Sequence, residues 1–485
     1  MLKRPLPIPL GFYTSQSTPI SRQNCINWLP TVMQAVALNN VALIQRSGLT
    51  QFADTSNGAC RGGMTVNGLA YFVCGTSLFS ISSAGVATNR GAISGTNRVS
   101  MANNGTSLVI VVPSGNGYVY DVSTSTLTKI SDVDYQTSDT VTFYRGYFVF
   151  TASDGKQLFV SNLNQPLTFD ALDYGSADGD PDRIVTQILD HDELSVIGEH
   201  TTEMFKSVGG VDFPLQIIPG AYTEKGAASK YGAIKFDNSY LFIGGGKNEK
   251  ASVWRQTSSA NASKISTDAI DNEIQKFTDD EIAEAFMMNY SKKGQTIALI
   301  TLNSTRIPSR TFGYNATAAA LSQSPVWFEF QSGVDANSWR ANTIISAYGK
   351  LLVGDATNGK IGYLNDDDYT DYNEPMLRQA TTSPFSENST TIFAGEFEAT
   401  FQSGVGLTVG QGSTPIVRMR FTDDGGRTFS SSFSRTIGKI GRYGQRSIWR
   451  RQGSFPVARS IRLTITDPVL ANLIELSATP ELGTS

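Results

Sequence analysis

The sequence predicts an all-β chain: a β-propeller of six or seven blades with a helical insertion, followed by a C-terminal β-sandwich-like module. Three observations support this prediction. A two-strand unit recurs seven times between residues 67 and 364, and 45 glycines in 485 residues favour many tight turns. Beyond about residue 371, apolar and polar residues alternate, as is typical of a half-buried antiparallel sheet.

Each repeated unit has an apolar run, a turn marked by Gly or polar residues, and a second apolar strand. Successive units begin roughly 40 to 57 residues apart, near the period of about 40–50 residues expected for a four-stranded blade. Stacked blades bury their strands on both faces, which explains the unbroken apolar runs. The clear units are Asn67–Val73 with Ser77–Ile81, Arg145–Phe150 with Gln157–Val160, Asp237–Ile243 with Ser252–Trp254, and Tyr348–Val353 with Lys360–Leu364. Weaker units begin near Leu108, Leu194 and Ile297, so the sequence leaves the blade number at six or seven.

The length of 485 residues exceeds what one core usually supports, so we expect several domains. We divide the chain into an extended N-terminal arm (1–55), a propeller (56–370) with a helical insertion near 266–291, and a β-rich module (371–485). The arm contains Trp28 and Leu29, which are costly to expose. The arm therefore either docks on another element or supplies the strand that closes the propeller ring.

Two helical signals define the insertion. Thr278-Asp279-Asp280-Glu281 has the spacing of a capping box, and Ile282, Ala285 and Phe286 follow at helical spacing. A short amphipathic stretch, Ala269–Ile274, precedes it. Helices that decorate a propeller are a candidate interface.

The C-terminal module is predicted to be a sheet. Ile416–Phe421 and Ser460–Ile465 alternate with period two. Phe393, Phe397 and Phe401 are four residues apart, as in a helix, but Gly395 and the glycines that follow favour strands.

Charge and cysteine content limit the possible partners. The net charge of −4 predicts no overall attraction to nucleic acid or to a membrane surface. Prolines at positions 5, 7 and 9 interrupt any secretory signal helix, and no apolar run approaches the length of a membrane span. Three cysteines without C-x-x-C spacing predict reduced thiols and no zinc site: Cys25, Cys60 and Cys74. We expect a soluble protein made in the cytoplasm, without membrane insertion.

Motifs that could bind metals or phosphate are weak. Asp178-Gly179-Asp180-Pro181-Asp182 alternates carboxylates as a calcium loop does, but Arg183 and Leu189 occupy the positions where an EF-hand loop needs Gly and Glu. Asp366-Asp367-Asp368 is better explained as an exposed loop. Gly244-Gly245-Gly246-Lys247 lacks the Ser/Thr and helix of a phosphate-binding loop.

His191 and His200 are the only histidines, and acidic residues surround them. Acid-base or metal chemistry would be conceivable there. However, Leu194–Gly198 between them has the character of a blade strand, which separates the two imidazoles, and no Ser or Cys nucleophile motif accompanies them. The sequence predicts no catalytic residue, no metal site and no cofactor.

Thr422–Phe429 fits the Asp-box pattern [ST]-x-D-x-G-x-T-[WF], a hairpin turn in which the carboxylate satisfies turn amides. Sialidases carry several such boxes on propeller blades, which raises the alternative of a glycan-binding or glycan-degrading propeller. The single box here lies outside the repeats, and it favours a β fold more than an enzyme.

Basic residues are concentrated between 415 and 465, where eleven Lys or Arg face only Asp423 and Asp424. The segment could contact phosphate or an acidic protein partner, and interleaved aromatic residues favour the protein. The basic residues proposed for a partner interface, called the basic patch below, are Arg442, Arg446, Arg450 and Arg451.

Segments spread over nearly the whole chain resemble a known family. They are Asn97–Ala102, Pro181–Val185, Glu193-Leu194 with Gly198–Glu203, Thr278–Ala283, and Ile440–Tyr443 with Trp449–Arg451. In this order they resemble the packaged DNA stabilization protein, or tail hub, of short-tailed bacteriophages (podoviruses).

The resemblance implies a non-enzymatic structural protein of the virion tail, made in the host cytoplasm. It implies a homohexameric ring below the portal and its head-to-tail adaptor, which closes the channel through which the genome is ejected and contacts packaged double-stranded DNA. Tailspikes or tail fibres, and a needle or nozzle protein, are the further partners that it implies. It carries over no catalytic residue.

Overall fold

The computed structural model describes residues 3–177, 182–210, 213–386 and 391–482. Seven β-sheets follow one another around a common axis. The innermost strand of each sheet packs against the innermost strands of the two neighbouring sheets. The innermost strand of the seventh sheet packs in the same way against that of the first sheet. These contacts close a ring, so the propeller has seven blades.

The four simplest blades each contain four antiparallel strands. Blade one is β7 (Cys60–Val66), β8 (Leu69–Cys74), β9 (Ser77–Ile81) and β10 (Ala87–Ala92). Blade two is β11 (Ser100–Asn103), β12 (Ser107–Val111), β13 (Gly117–Asp121) and β14 (Thr126–Lys129). Blade three is β15 (Ser138–Tyr144), β16 (Tyr147–Ala152), β17 (Leu158–Asn162) and β18 (Gln165–Gly175). Blade four is β19 (Ile184–Asp190), β20 (Glu193–Gly198), β21 (Thr202–Ser207) and β22 (Leu215–Thr223).

The last three blades carry additions. Blade five is β23 (Gly226–Ala227), β24 (Ala233–Lys235), β25 (Tyr240–Gly245), β26 (Ser252–Ser258) and β27 (Asn261–Lys264). Blade six is β28 (Phe286–Lys292), β29 (Gln295–Leu302), β30 (Arg310–Asn315) and β31 (Trp327–Phe330). Blade seven is β32 (Ala341–Ala347), β33 (Lys350–Asp355) and β34 (Lys360–Asn365), joined by β6 (Gly48–Asp54), with β35 (Thr370–Asp371) and β36 (Glu374–Pro375) at its edge.

The units recognised in the sequence are the second and third strands of the blades. Leu69–Cys74 pairs with Ser77–Ile81, for example, and both are buried on both faces. Several blades join their first two strands by a two-residue turn with positive φ at both positions, such as Asn67-Gly68 (48° and 79°) and Tyr348-Gly349 (56° and 69°). Turns of this kind match the twist of the strands that they connect.

Three short helices interrupt the strands: α1 (Asp268–Ile274), α2 (Asp279–Ala283) and α3 (Ala316–Ser322). The predicted capping box is present, since the Glu281 amide donates to Thr278 Oγ1 and the Thr278 amide donates to the Glu281 carboxylate. The helical spacing predicted through Phe286 is wrong, because α2 ends at Ala283 and Phe286 begins strand β28 of blade six. Helix α3 was not predicted; Asn315 caps it and it lies within blade six, where the repeat is weak. No helix among the described residues is long and apolar enough to cross a membrane.

The C-terminal module is a sandwich that includes the N-terminal strands. Its strands from the chain start are β1 (Arg4–Pro5), β2 (Tyr13–Thr14), β3 (Arg22–Ile26), β4 (Trp28–Val32) and β5 (Val41–Gln45). Its later strands are β37 (Arg378–Thr381), β38 (Ile392–Phe401), β39 (Ile416–Thr422), β40 (Phe433–Thr436), β41 (Ser447–Arg450), β42 (Ser454–Phe455), β43 (Ser460–Ile465) and β44 (Leu473–Leu482). One sheet contains β4, β5, β44, β38 and β41, and the other contains β3, β37, β43, β39 and β40.

The N-terminal residues therefore have both of the roles that the sequence left open. Strand β6 pairs with β34 and closes the propeller ring, while β1 pairs with β44 and β3 pairs with β37. Trp28 is fully buried in the sandwich core, and its indole N–H donates to the Ala471 carbonyl over 2.8 Å. The arm is thus part of the folded core.

In β38, the phenylalanine spacing reflects a bulge and not a helix. The register shifts between Ala394 and Glu396, around Gly395. Phe397 and Phe401 are buried beyond the shift, whereas Phe393 before it is half exposed. A bulge flips the alternation by one residue, which explains the change of face.

The propeller and the sandwich share one sheet of ten strands. Strand β3 pairs with β31 of blade six and with β37 of the sandwich. Beside this junction the Arg46 guanidinium donates to both Asp371 carboxylate oxygens, at 3.0 and 2.6 Å. Both side chains are 1% exposed. The two modules are therefore joined by backbone pairing and by a buried ion pair.

Candidate interaction surface

The basic patch lies on and before strand β41. Arg446 Nη1 is 3.2 Å from Glu398, and Arg450 Nε is 3.0 Å from Glu396, both on the neighbouring strand β38. Arg442 and Arg451 are exposed and make no ion pair within the part of the chain that the structure describes. Half of the positive charge of the patch is thus neutralised within the chain.

Exposed apolar side chains surround Arg442. Tyr443 is 75% exposed and Ile440 55%, and the adjoining loop presents Leu407 and Val409. The two loops are linked, because the Gly441 amide donates to the Gly404 carbonyl over 3.1 Å. We call this mixed surface the tip surface; its members are Leu407, Val409, Ile440, Arg442 and Tyr443. Aromatic and arginine side chains together are typical of protein interfaces.

Three other basic residues of the segment 415–465 do not extend this surface. Arg459 is buried and donates to both Asp423 oxygens at 2.6 and 2.7 Å, and its guanidinium lies 3.8 Å from the Phe421 ring centre. Arg418 and Arg462 lie on the outer face of the opposite sheet, because their neighbours Val417 and Leu463 point into the core. The basic residues of this segment are close in sequence, but in the fold they lie on two outer faces and in the interior of the sandwich.

The Asp-box is a structural turn. Asp424 accepts hydrogen bonds from the Thr428 hydroxyl at 2.6 Å, from the Thr428 amide at 2.9 Å, and from the Thr422 hydroxyl. These bonds, first among them that from the Thr428 hydroxyl, hold the pKa of Asp424 well below its usual range. The box aromatic, Phe429, packs against Arg462, whose guanidinium is 3.7 Å from the ring centre.

The histidines lie at opposite ends of β20, as predicted. His191 occupies the turn before it, with φ 52°, and its side chain is 61% exposed. His200 follows the strand, and its backbone amide donates to Asp182. Asp178–Pro181, the rest of the motif that alternates carboxylates, lie outside the described residues.

Asp366 of the triple-aspartate loop pairs with Lys292 and Lys293, both at 3.0 Å, and accepts from Ser47. Among the described residues, no group of three or more His, Cys, Asp or Glu side chains could hold a metal ion. The three cysteines are buried and free.

A cavity of about 680 Å³ opens between blades three, four and five beside α2. Four of its charged side chains pair with one another: Lys230 is 3.7 Å from Asp139, and Lys250 is 3.9 Å from Asp279. The glycines Gly244–Gly246 line it, at the end of β25. The Ser153 hydroxyl also lines the cavity and donates to Asp139 over 2.7 Å.

The propeller axis is crossed by one side chain that sequence reasoning did not single out. Arg98 precedes the inner strand of blade two, and its guanidinium lies 4.3 Å from the Phe286 ring centre in blade six and 5.5 Å from that of Tyr231 in blade five. It also donates to the Asn342 carbonyl in blade seven over 2.8 Å, and the Tyr231 hydroxyl donates to the Arg98 carbonyl.

Contacts from blade two to blades five, six and seven must cross the axis. The centre of the ring is therefore filled at the level of Arg98. Burial, only partly offset by the nearby Tyr231, lowers the pKa of Arg98 to about 10. The only sequence signal was the position of Arg98 in Asn97–Ala102, one of the segments that carry the family resemblance.

Comparisons with solved structures give matches at low similarity. The β-propeller domain of Myceliophteria thermophila Cps50 (Swd1) is 7% identical and covers 65% of this chain and 98% of its own, with a TM-score of 0.42. The N-terminal domain of Nup159 is 8% identical and covers 70% of this chain and 98% of its own, with a TM-score of 0.40. The computationally designed Ika8 protein is 12% identical and covers 71% and 99%, with a TM-score of 0.39. No curated protein matches the chain.

Two family models match the chain in sequence. The model described as Bacteriophage P22 Gp10, beta-propeller, matches residues 4–369, and that described as Bacteriophage P22 Gp10, beta-sandwich, matches residues 378–481. Together they confirm the resemblance, and the two modules that they name are those of the structure. The chain belongs to the Bacteriophage P22 Gp10 family of structural phage tail proteins.

Proposed function

We propose that this protein is a non-enzymatic tail hub. It assembles as a homohexameric ring below the portal and its adaptor, closes the DNA exit channel, stabilises the packaged DNA, and anchors spikes or fibres and a needle or nozzle protein. The observation that carries the proposal is the pair of family matches over both modules.

The geometry of the propeller is consistent with a load-bearing component. The Arg98 side chain joins four blades across the axis, and the ten-stranded sheet joins blade six to the sandwich. Close-packed interiors deform little and transmit strain. A ring of such subunits can resist the outward pressure of densely packed DNA.

The tip surface and the basic patch are the proposed contacts with partner proteins. Arg442 and Arg451 are not neutralised by ion pairs among the described residues, and Tyr443 and Ile440 add exposed apolar area beside Arg442. Buried aromatic and arginine side chains contribute most of the energy of typical interfaces. We assign this surface to protein contacts within the tail.

Charge reversal tests the surface. Reversal at Arg442, Arg446, Arg450 and Arg451 is expected to impair tail assembly, but at Arg446 and Arg450 it also breaks pairs with glutamates. The sharper variant reverses only Arg442 and Arg451. The matched control, Lys129→Glu with Lys206→Glu, changes two exposed propeller lysines and is expected to assemble normally.

Oligomeric state and virion phenotype test the hub role. We expect six copies per tail by cryo-electron microscopy, and loss of DNA from filled heads when the protein is absent. A monomer in the virion, or full retention of DNA without the protein, would contradict the proposal.

The glycan alternative has little support from the site, because the Asp-box carboxylate is fully occupied by its own turn. Binding or turnover of host surface oligosaccharides by the purified ring would favour it over the hub role.

A further inference from the structure

The outer face of one sandwich sheet carries four arginines. Arg418 and Arg420 lie on β39, Arg462 on β43 and Arg22 on β3. In the register of the sheet, Arg420 is directly opposite Arg462. Like charges directly opposite one another destabilise a sheet. An anion bound over Arg420 and Arg462 would offset the repulsion between these two charges.

None of the four arginines makes an ion pair within the described residues, and their hydrogen bonds go to neutral oxygens. Arg420 Nε donates to the Ser430 carbonyl at 2.8 Å, and Arg462 Nε donates to the Thr381 hydroxyl at 3.1 Å. Arg418 reaches only the Thr466 hydroxyl, at 3.4 Å.

The two acids nearest in sequence are committed elsewhere. Asp423 is held by the buried Arg459, and Asp424 by its own turn. Burial, and then the neighbouring charges of Arg22 and Arg420, lower the pKa of Arg462 to about 10. The positive charge on this face is therefore not compensated by the residues that the structure describes.

Three of the four arginines line a groove. Its volume is about 460 Å³, and its walls and floor also include an amide and two hydroxyls that can hydrogen-bond to a ligand. The lining residues, which we call the arginine groove, are Gln379, Arg418, Arg420, Ser432, Arg462 and Thr464. Phe429 packs against Arg462 and fixes the position of its guanidinium.

The spacing of the groove indicates its ligand. Arg418 and Arg420 are two residues apart on one strand, a separation of about 7 Å. An extended peptide that runs along β39 presents alternate side chains at the same spacing of about 7 Å. Arginine forms paired hydrogen bonds with carboxylates.

We propose that the arginine groove binds an extended acidic segment of a protein partner, with carboxylates at alternate positions. The inference follows from the charges and register of this face and does not depend on the hub role. It also differs from the basic patch, which lies on the other sheet of the sandwich.

The test uses the full-length protein and a fluorescein-labelled peptide of alternating Glu and Ser, with an alternating Gln and Ser peptide as its neutral match. Fluorescence anisotropy at 50 mM NaCl is expected to show saturable binding of the Glu peptide only. Binding is expected to weaken at least tenfold at 500 mM NaCl, because the Debye length shortens severalfold.

Arg420→Gln and Arg462→Gln are each expected to weaken peptide binding about tenfold, which corresponds to 1.4 kcal/mol. The control Lys129→Gln/Lys206→Gln, which removes two exposed lysines of the propeller, is expected to bind as the parent does. The melting temperature of Arg420→Gln is expected to be no lower than that of the parent, because the substitution removes a like-charge pair. A purely structural arginine would lower it.

Four results would overturn the proposal. They are no binding of the Glu peptide, equal losses in the control variant, tighter binding of a 20-base-pair DNA duplex than of the peptide, or displacement of the peptide by millimolar inorganic phosphate. Self-association of the chain that depends on Arg420 and Arg462, without peptide binding, would assign the groove to a second copy and would also overturn it.

Discussion

Removal of one charge from the ion pair at the propeller–sandwich junction is expected to destabilise the protein strongly. Arg46 and Asp371 are each 1% exposed and share two hydrogen bonds. In Asp371→Asn the guanidinium keeps its charge but loses its counter-ion in a site without water access. Loss of one partner of a buried pair typically costs about 3–5 kcal/mol, and we expect this amount here.

Removal of both charges is expected to cost less. The rings of Phe330 and Trp339 lie 5.6 and 5.4 Å from the guanidinium, so an apolar replacement would remain well packed. After Arg46→Met/Asp371→Leu, the Ser47 carbonyl, the Gln331 carbonyl and Asn27 Oδ1 each lose a donor. The last two keep a second donor, so only the partly buried Ser47 carbonyl is left unsatisfied. One unsatisfied carbonyl costs about 1–3 kcal/mol, which is our estimate for the double variant.

Urea unfolding, followed by tryptophan fluorescence, measures both variants, and Trp339 reports directly on the junction. The matched control is Asp192→Asn, which breaks the pair between Arg145 and Asp192, whose side chains are 60% and 63% exposed. Exposed pairs contribute about 0–1 kcal/mol. If Asp371→Asn costs no more than Asp192→Asn, or if the double variant costs as much as Asp371→Asn, the account of the junction is wrong.

Three further predictions concern other parts of the fold. Trp28→Ala is expected to lower the free energy of unfolding by about 3–5 kcal/mol, because the ring is fully buried and its N–H is bonded to the Ala471 carbonyl. Trp28→Phe should lower it clearly less, and equal losses for the two variants would contradict the packing argument. Arg98→Leu is expected to lower the free energy of unfolding by about 2 kcal/mol, because the contact of the guanidinium with the Phe286 ring is lost. Urea unfolding measures this, and an unchanged midpoint would show that the packing at the axis does not depend on Arg98. Asp424→Ala is expected to lower the melting temperature at pH 7, and this difference should shrink as pH falls below about 4. The folded-state pKa of Asp424 is depressed, so its stabilisation is present above the unfolded pKa and is lost as pH falls through the folded pKa. A difference that stays constant with pH would refute this.

The propeller was predictable because its second and third strands are buried on both faces, so that runs such as Leu69–Cys74 are unbroken. The first strands are harder to recognise: β7 contains Gly62 and Gly63 and has no continuous apolar run. The sequence left the blade number open because the units near Leu108, Leu194 and Ile297 are weak. The contacts between the inner strands of neighbouring blades show that the propeller has seven blades.

The N-terminal strands and the charged surfaces depend on partners that are remote in sequence. Strand β1 has two residues and forms because β44 pairs with it, and β3 pairs with β37. The alternation of Ile416–Phe421 already places Arg418 and Arg420 on one face. That Arg462 faces Arg420 depends on the register of β39 against β43, which no local pattern in either strand determines.

The threading of the chain also governs how it folds on the ribosome. Asp54 in β6 pairs with Lys360 in β34, roughly 300 residues later. At about 5–20 residues per second, β6 waits about 15–60 s for its partner to be synthesised. Strand β1 waits longer, because it pairs with β44 at the end of the described chain. Such long-range pairing makes folding slow. The ring cannot close before β34 is synthesised, nor the sandwich before β44, so only a chain that includes β44 can present both folded modules for assembly.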